Sequence, residues 1–96
     1  MAVLDLLGRR WALRILWELR GGPLSFRALR AQCGGISPTV LNARLGELRD
    51  AGIVDAHQGT GYRLTRVGAE LLDAISPIDA WSKRWAARLA REQEQD

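Results

Sequence analysis

One cysteine, Cys33, and one histidine, His57, are all that the 96 residues offer of the side chains most used for metal binding and nucleophilic chemistry. A lone cysteine excludes a disulfide within the chain and a multi-cysteine zinc site, so no metal is expected. It suits a reducing compartment, and the protein is expected in the cytoplasm. Long apolar runs are missing too: no stretch approaches the roughly 20 residues that span a bilayer. The opening MAVLDLL is too short for the apolar region of a signal peptide with its basic flank. Acid–base or nucleophilic catalysis lacks its pairings, because His57 and Cys33 fall in different elements. The glycines Gly59 and Gly61 flank Thr60 at a hairpin tip with no helix start directly behind them, so nucleotide binding is not expected and no cofactor is implied. An enzyme is therefore the class the residues favour least.

What is present is arginine, unevenly spread. The net charge of +3 decides little about partners. Between Arg9 and Arg49, however, eight arginines face only Glu18 and Glu47, so that segment carries +6. From Asp50 onward six basic residues face eight acids, leaving −2. A positive patch confined to one segment is the footprint expected of a phosphate-binding surface, although arginines also solvate ordinary helices.

Hydrophobic residues make up 47% of the chain, enough for one modest core and one domain over 1–96. Ala2 to Leu7 reads as a short helix stopped by Gly8. From Arg9 to Arg20, Trp11, Ala12, Ile15, Leu16 and Leu19 mark one helical face, and Leu13 and Trp17 add a stripe on another side. So wide an apolar arc predicts burial on two sides, by the core and by a partner subunit.

Gly21-Gly22-Pro23 ends that helix, and Ser25 is placed to cap the next, with Phe26 and Leu29 inward. Cys33-Gly34-Gly35 makes a turn. Ser37 caps a second helix over 37–50 with Pro38 in its first position and Leu41, Leu45 and Leu48 as the buried stripe. Gly52 ends it. Ile53 to Ala56 and Tyr62 to Thr65 read as strands joined through residues 57–61. Thr65 caps a helix through Leu71, Leu72 and Ile75. Pro77 predicts a kink or break there, followed by a last helix with Ile78, Trp81, Trp85 and Leu89, before the polar tail REQEQD frays.

The expected fold is thus mainly α with a small β-hairpin: a helix-turn-helix at about 25–50, a wing at about 53–65 and C-terminal helices at about 66–91. If the three leucines point inward, Thr39, Asn42, Ala43 and Gly46 point outward, a small and polar face suited to the major groove of double-stranded DNA. Asn42 can pair with adenine in bidentate fashion, and Thr39 can offer a hydroxyl or a methyl. The bland alternative is a solvent face, though Lys, Glu or Gln would be more usual there. Arg44 can lay its stem along the core and reach a phosphate, and Ser37 can present the helix N-terminus to one.

Gln58 and Arg63 in the wing are candidate backbone contacts; Arg63 could equally be a solvated strand residue. His57 shows no carboxylate or thiol partner in the sequence and reads as a surface residue. Cys33 reads as a small semi-buried residue. A module that binds protein instead of DNA would show an acidic or apolar recognition face, and this face is neither.

Trp81 and Trp85 lie one turn apart on an otherwise charged helix, which points to a second covering surface. A homodimer interface is expected from Leu4, Leu7, Leu13 and Trp17 together with Ile78, Trp81, Trp85 and Leu89. Packing of the tryptophans on the first helices of the same chain is the alternative, and both arrangements are compatible.

These segments also resemble the HxlR-type winged-helix transcriptional regulators of the MarR-like group. The resemblance rests on GRRWALRILWEL, LSFRAL, GISPTVLNARLGELRDAGIV, YRLTRVG and the tryptophan-bearing end helix, in the family's order across nearly the whole chain. It implies a homodimer whose terminal helices pack together and whose two recognition helices read a palindromic site. A pocket for a small-molecule effector between the dimer helices is compatible with it. Three features depart from the family pattern. The one cysteine lies in the turn and not ahead of the first helix, and the wing loop HQGTG is short. Ser25 stands where an arginine often precedes the phenylalanine, so Arg27 takes over that phosphate contact or the contact is missing.

Overall fold

Ala12, Ile15, Leu16 and Leu19 recur at helical spacing and are buried together against Leu29, Ile36, Leu41, Leu45 and Leu48, a core built almost wholly of aliphatic side chains. The computed structural model describes residues 2–95. In chain order it comprises α1 (Ala2–Leu7), α2 (Ala12–Glu18) with a 3-10 turn over Leu19–Gly21, α3 (Phe26–Cys33), α4 (Pro38–Asp50), β1 (Val54–His57), β2 (Gly61–Leu64) and α5 (Arg66–Gln95).

Capping follows the sequence closely. The Ser25 hydroxyl accepts from the Ala28 N–H at 3.0 Å and the Ser37 hydroxyl from the Val40 N–H at 3.1 Å, each satisfying an orphan donor of a helix start. Gly52, at φ +75°, closes α4 in the left-handed region, as a C-terminal glycine does. The Thr65 hydroxyl accepts from the Gly68 N–H at 3.0 Å and so caps α5.

Three elements differ from expectation. α2 begins at Ala12, not Arg9, because Trp11 adopts φ +79° and breaks the helical run. That conformation costs a non-glycine residue roughly 1–2 kcal/mol, and the indole's packing against the core holds it. The wing strands are each displaced one residue toward the hairpin tip: His57 and Gly61 pair as strand residues, so the loop is Gln58, Gly59 and Thr60 alone.

Pro77, thirdly, does not break the helix, and α5 runs from Arg66 to Gln95 through the tail that was expected to fray. Ser76, the residue the proline ring restricts, stays helical with its hydroxyl donating to the Leu72 carbonyl at 2.8 Å. Leu72 and Ile75 hold the same stretch against the body.

β1 and β2 pair antiparallel with Val54 opposite Leu64 and Asp55 opposite Arg63. The hairpin is tied back to the segment before α3: Leu24 and Tyr62 exchange two backbone hydrogen bonds, 2.9 and 2.8 Å long. Gly61 is required at this contact, because a Cβ there would collide with the Leu24 carbonyl. The wing is therefore fixed relative to α3 and α4.

Candidate nucleic-acid interface

α4 is held by one face. Leu41, Leu45 and Leu48 are fully buried, and the opposite side carries Thr39, Asn42 and Ala43 in solvent. Gly46 continues that side, and a Cβ added to it would meet no heavy atom within 4 Å. Glycine at this point is not demanded by the chain's own packing. Arg49, seven residues after Asn42 and about two turns on, is exposed on the same line. Sequence reading counted Arg49 only as charge; its spacing from Asn42 was the signal for its place.

At the head of α4, Arg27 and Arg30 border an open hollow of about 700 Å³ whose far wall is Gly35, Ser37 and Pro38. Arg30 donates from Nε to the Ile36 carbonyl at 3.2 Å, which aims the rest of its guanidinium toward this hollow's rim. The N-terminal end of α4, through Ser37 and Pro38, borders the same hollow. Arg30 was not singled out from sequence either. Ser25 and Ser37 both turn their hydroxyls to capping.

Two expected phosphate ligands are engaged within the chain. Arg44 donates from Nε to the Arg10 carbonyl at 3.0 Å and from Nη1 to Glu47 at 3.0 Å, so its head braces α4 against the start of α2 and does not reach outward. Glu47 takes a second, longer contact from Arg9 at 3.7 Å. Arg63 lies with its Nη2 2.8 Å from His57 Nε2 and 3.5 Å from the Asp55 carboxylate, which is itself 3.6 Å from the imidazole. A guanidinium can only donate, so in this contact Nε2 of His57 is on the acceptor side. The expectation that His57 lacks a carboxylate neighbour is thus corrected: Asp55 and His57 alternate along β1 onto one side, and the hairpin register brings Arg63 to both. Gln58 is exposed at the tip.

Cys33 is buried at the end of α3. Burial raises its thiol above the ordinary range, only partly opposed by the nearby Arg14 charge. This is the profile of a packing residue, not of a reactive thiolate.

A second surface lies on the other side of the body. Leu4, Leu7, Leu13 and Trp17 line a groove of about 640 Å³ with Ile75 and Ile78 of α5. Leu4 and Ile78 are 60% and 61% exposed. From Ala80 to Glu94 every residue of α5 is exposed, and Trp81 and Trp85 stack on each other with centroids 5.7 Å apart at 9°. They do not pack on the first helices of their own chain. Leu89 extends the same exposed stripe. Arg20 lies 4.0 Å over the Trp17 ring and covers its outer face.

Among the described residues no helix is long and apolar enough to cross a membrane, and no cluster of His, Cys, Asp and Glu could hold a metal ion. Residues 6–90 match the family model described as HxlR-like helix-turn-helix. An HTH-type transcriptional regulator of Methanocaldococcus jannaschii is 32% identical over 89 residues, covering 88% of this chain and 83% of that protein. Among solved structures, quinone-bound YodB from Bacillus subtilis superposes with a TM-score of 0.80 at 31% identity, covering 86% of this chain and 92% of that one. The transcriptional repressor BigR from Xylella fastidiosa gives 0.71 at 30% identity over 84% and 83% of the two chains.

Proposed function

The chain belongs to the HxlR-like helix-turn-helix family of transcriptional regulators, and on that premise we propose that it is a homodimeric, sequence-specific DNA-binding protein that reads a palindromic operator in the cytoplasm. Residues 1–96 then act as one winged domain. The observation that carries the reading is the outward side of α4, where Thr39, Asn42, Ala43 and Gly46 stand clear of the protein.

In this reading α4 enters the major groove. Asn42 makes a bidentate pair with adenine, Thr39 meets a neighbouring base, and Ala43 and Gly46 let the helix axis approach the base edges. Arg49 follows the groove to the backbone. The hollow beneath Arg27 and Arg30, with the N–H groups behind Ser37, seats one phosphate and fixes the register of the helix. Gln58 reaches a second phosphate from the wing tip, and Arg63 joins it only by leaving Asp55 and His57. Arg44 serves as a strut. The exposed stripe of Ile78, Trp81, Trp85 and Leu89, with Leu4, Leu7, Leu13 and Trp17, is covered by the second subunit. The groove between α1, α2 and α5 is the place where a small-molecule effector would act on the dimer.

Selection of bound fragments from a pool of random duplexes tests this. The expected result is one enriched motif with two inverted half-sites whose centres lie about 34–36 Å apart, one helical turn. Recovery of unselected sequence at all salt concentrations would overturn it and leave a module that binds protein.

A further inference from the structure

His57 is the chain's one histidine, and the hairpin register places it where its charge decides what a neighbour can do. Asp55, His57 and Arg63 stand on one face of the wing. Tyr62, the hairpin's other titratable side chain, lies on the opposite face beside Phe26, with ring centroids 6.4 Å apart. Arg63 Nη2 is 2.8 Å from His57 Nε2 and 3.5 Å from the Asp55 carboxylate, which is 3.6 Å from the imidazole. The turn after α2, α4 and α5 also pack on the hairpin. Among the described residues none of them brings a further charged side chain into ion-pair contact with these three.

The neutral imidazole accepts from Arg63, so the guanidinium is held by Asp55 and His57 together and the three side chains carry no net charge. A proton on Nε2 removes the acceptor and sets an imidazolium against a guanidinium. Asp55 is then contested by two cations, and one of them is in surplus. All three side chains are about half exposed, so the pairs are weak and a phosphate oxygen can take the freed donor. Histidine is the side chain that changes charge between about pH 5 and 8.

We propose that protonation of His57 releases Arg63 to a backbone phosphate of DNA, so that the wing grips the duplex more tightly as pH falls. This rests on the DNA-binding reading above and supplies the condition under which Arg63 joins the contact. DNA then favours the charged form of His57, the complex takes up a proton at each wing, and affinity rises with falling pH.

Fluorescence anisotropy of the full chain with the selected duplex and a scrambled one, at about pH 6 and about pH 8 over a range of salt, tests this. The wild type is expected to bind both duplexes at least about fivefold more tightly at the lower pH, with the slope of log affinity against log salt steeper by about one per wing. His57→Gln, which keeps an acceptor and never charges, is expected to flatten the pH response. His57→Lys is charged throughout and is expected to flatten it too, while binding at least about fivefold more tightly than His57→Gln at the higher pH. Arg63→Gln is expected to keep only the smaller part of the gain. Circular dichroism and thermal melting at both pH values check that these exposed-site variants remain folded. A wild-type affinity that does not change with pH, or a response that survives intact in His57→Gln, would overturn the switch. A full response in Arg63→Gln would overturn the release of Arg63. Loss of binding to every duplex at both pH values would instead overturn the DNA-binding reading on which the switch rests.

Discussion

Gly68 and Gly46 show how differently two helical glycines can be set. Gly68 is buried where α5 begins, and a methyl group there would run into the Ile53 carbonyl, which already accepts a hydrogen bond from the Thr65 N–H at 3.0 Å. Because that oxygen is held in place, Gly68→Ala is expected to destabilise the fold by about 1–3 kcal/mol, read as a lowered midpoint in urea. Cys33 gives a second prediction. Its thiol is pushed upward by burial, so the thiolate fraction at neutral pH is smaller than in a free cysteine, and it grows only at higher pH. Alkylation of the folded protein at pH 7–8 is expected to be much slower than in denaturant; equal rates would show an exposed thiolate. The caps at Ser25, Ser37 and Thr65 were legible in the sequence because capping is local. The ties of Arg44 to Arg10 and of Arg63 to Asp55 and His57 were not, since the first spans 34 positions and the second depends on which residues the paired strands set opposite each other.

At the scale of elements, α4 was readable almost to the residue: serine, proline, three spaced leucines and a closing glycine all act within one helix. Its open Gly46 permits a test that separates stability from function. Alanine in a helix interior is favoured over glycine by about 1 kcal/mol, and nothing obstructs it here, so Gly46→Ala is expected to raise the melting temperature. The same methyl stands between helix and base edges in the proposed complex, so affinity for the selected site is expected to fall while stability rises. A variant that gained both would show that this side of α4 does not approach the bases closely. α5 was harder to read. Pro77 is a sound local signal for a stop, but the anchoring of Leu72 and Ile75 against the body outweighs it, and local motifs carry no measure of a tertiary anchor against a proline.

As a whole the molecule is elongated, 54 × 27 × 23 Å, because α5 projects beyond the body that carries α4 and the wing. Apolar side chains lie along that projection and arginine-rich surface lies on the helix-turn-helix segment, so the exposed apolar stripe and the basic surface are separated in space. The charge asymmetry and the overall order of elements were visible in composition and periodicity. The relation between the two surfaces was not, because it depends on the unbroken course of α5 through residue 77. The most direct measurement is of specificity: the ratio of affinities for the selected duplex and for a scrambled one, at fixed salt, in the wild type and in Asn42→Ala. A bidentate asparagine–adenine pair contributes about 1–3 kcal/mol of discrimination, so the ratio is expected to drop roughly 5- to 150-fold while binding to scrambled DNA stays constant. An unchanged ratio, or an equal loss on both duplexes, would contradict base reading by the outward side of α4.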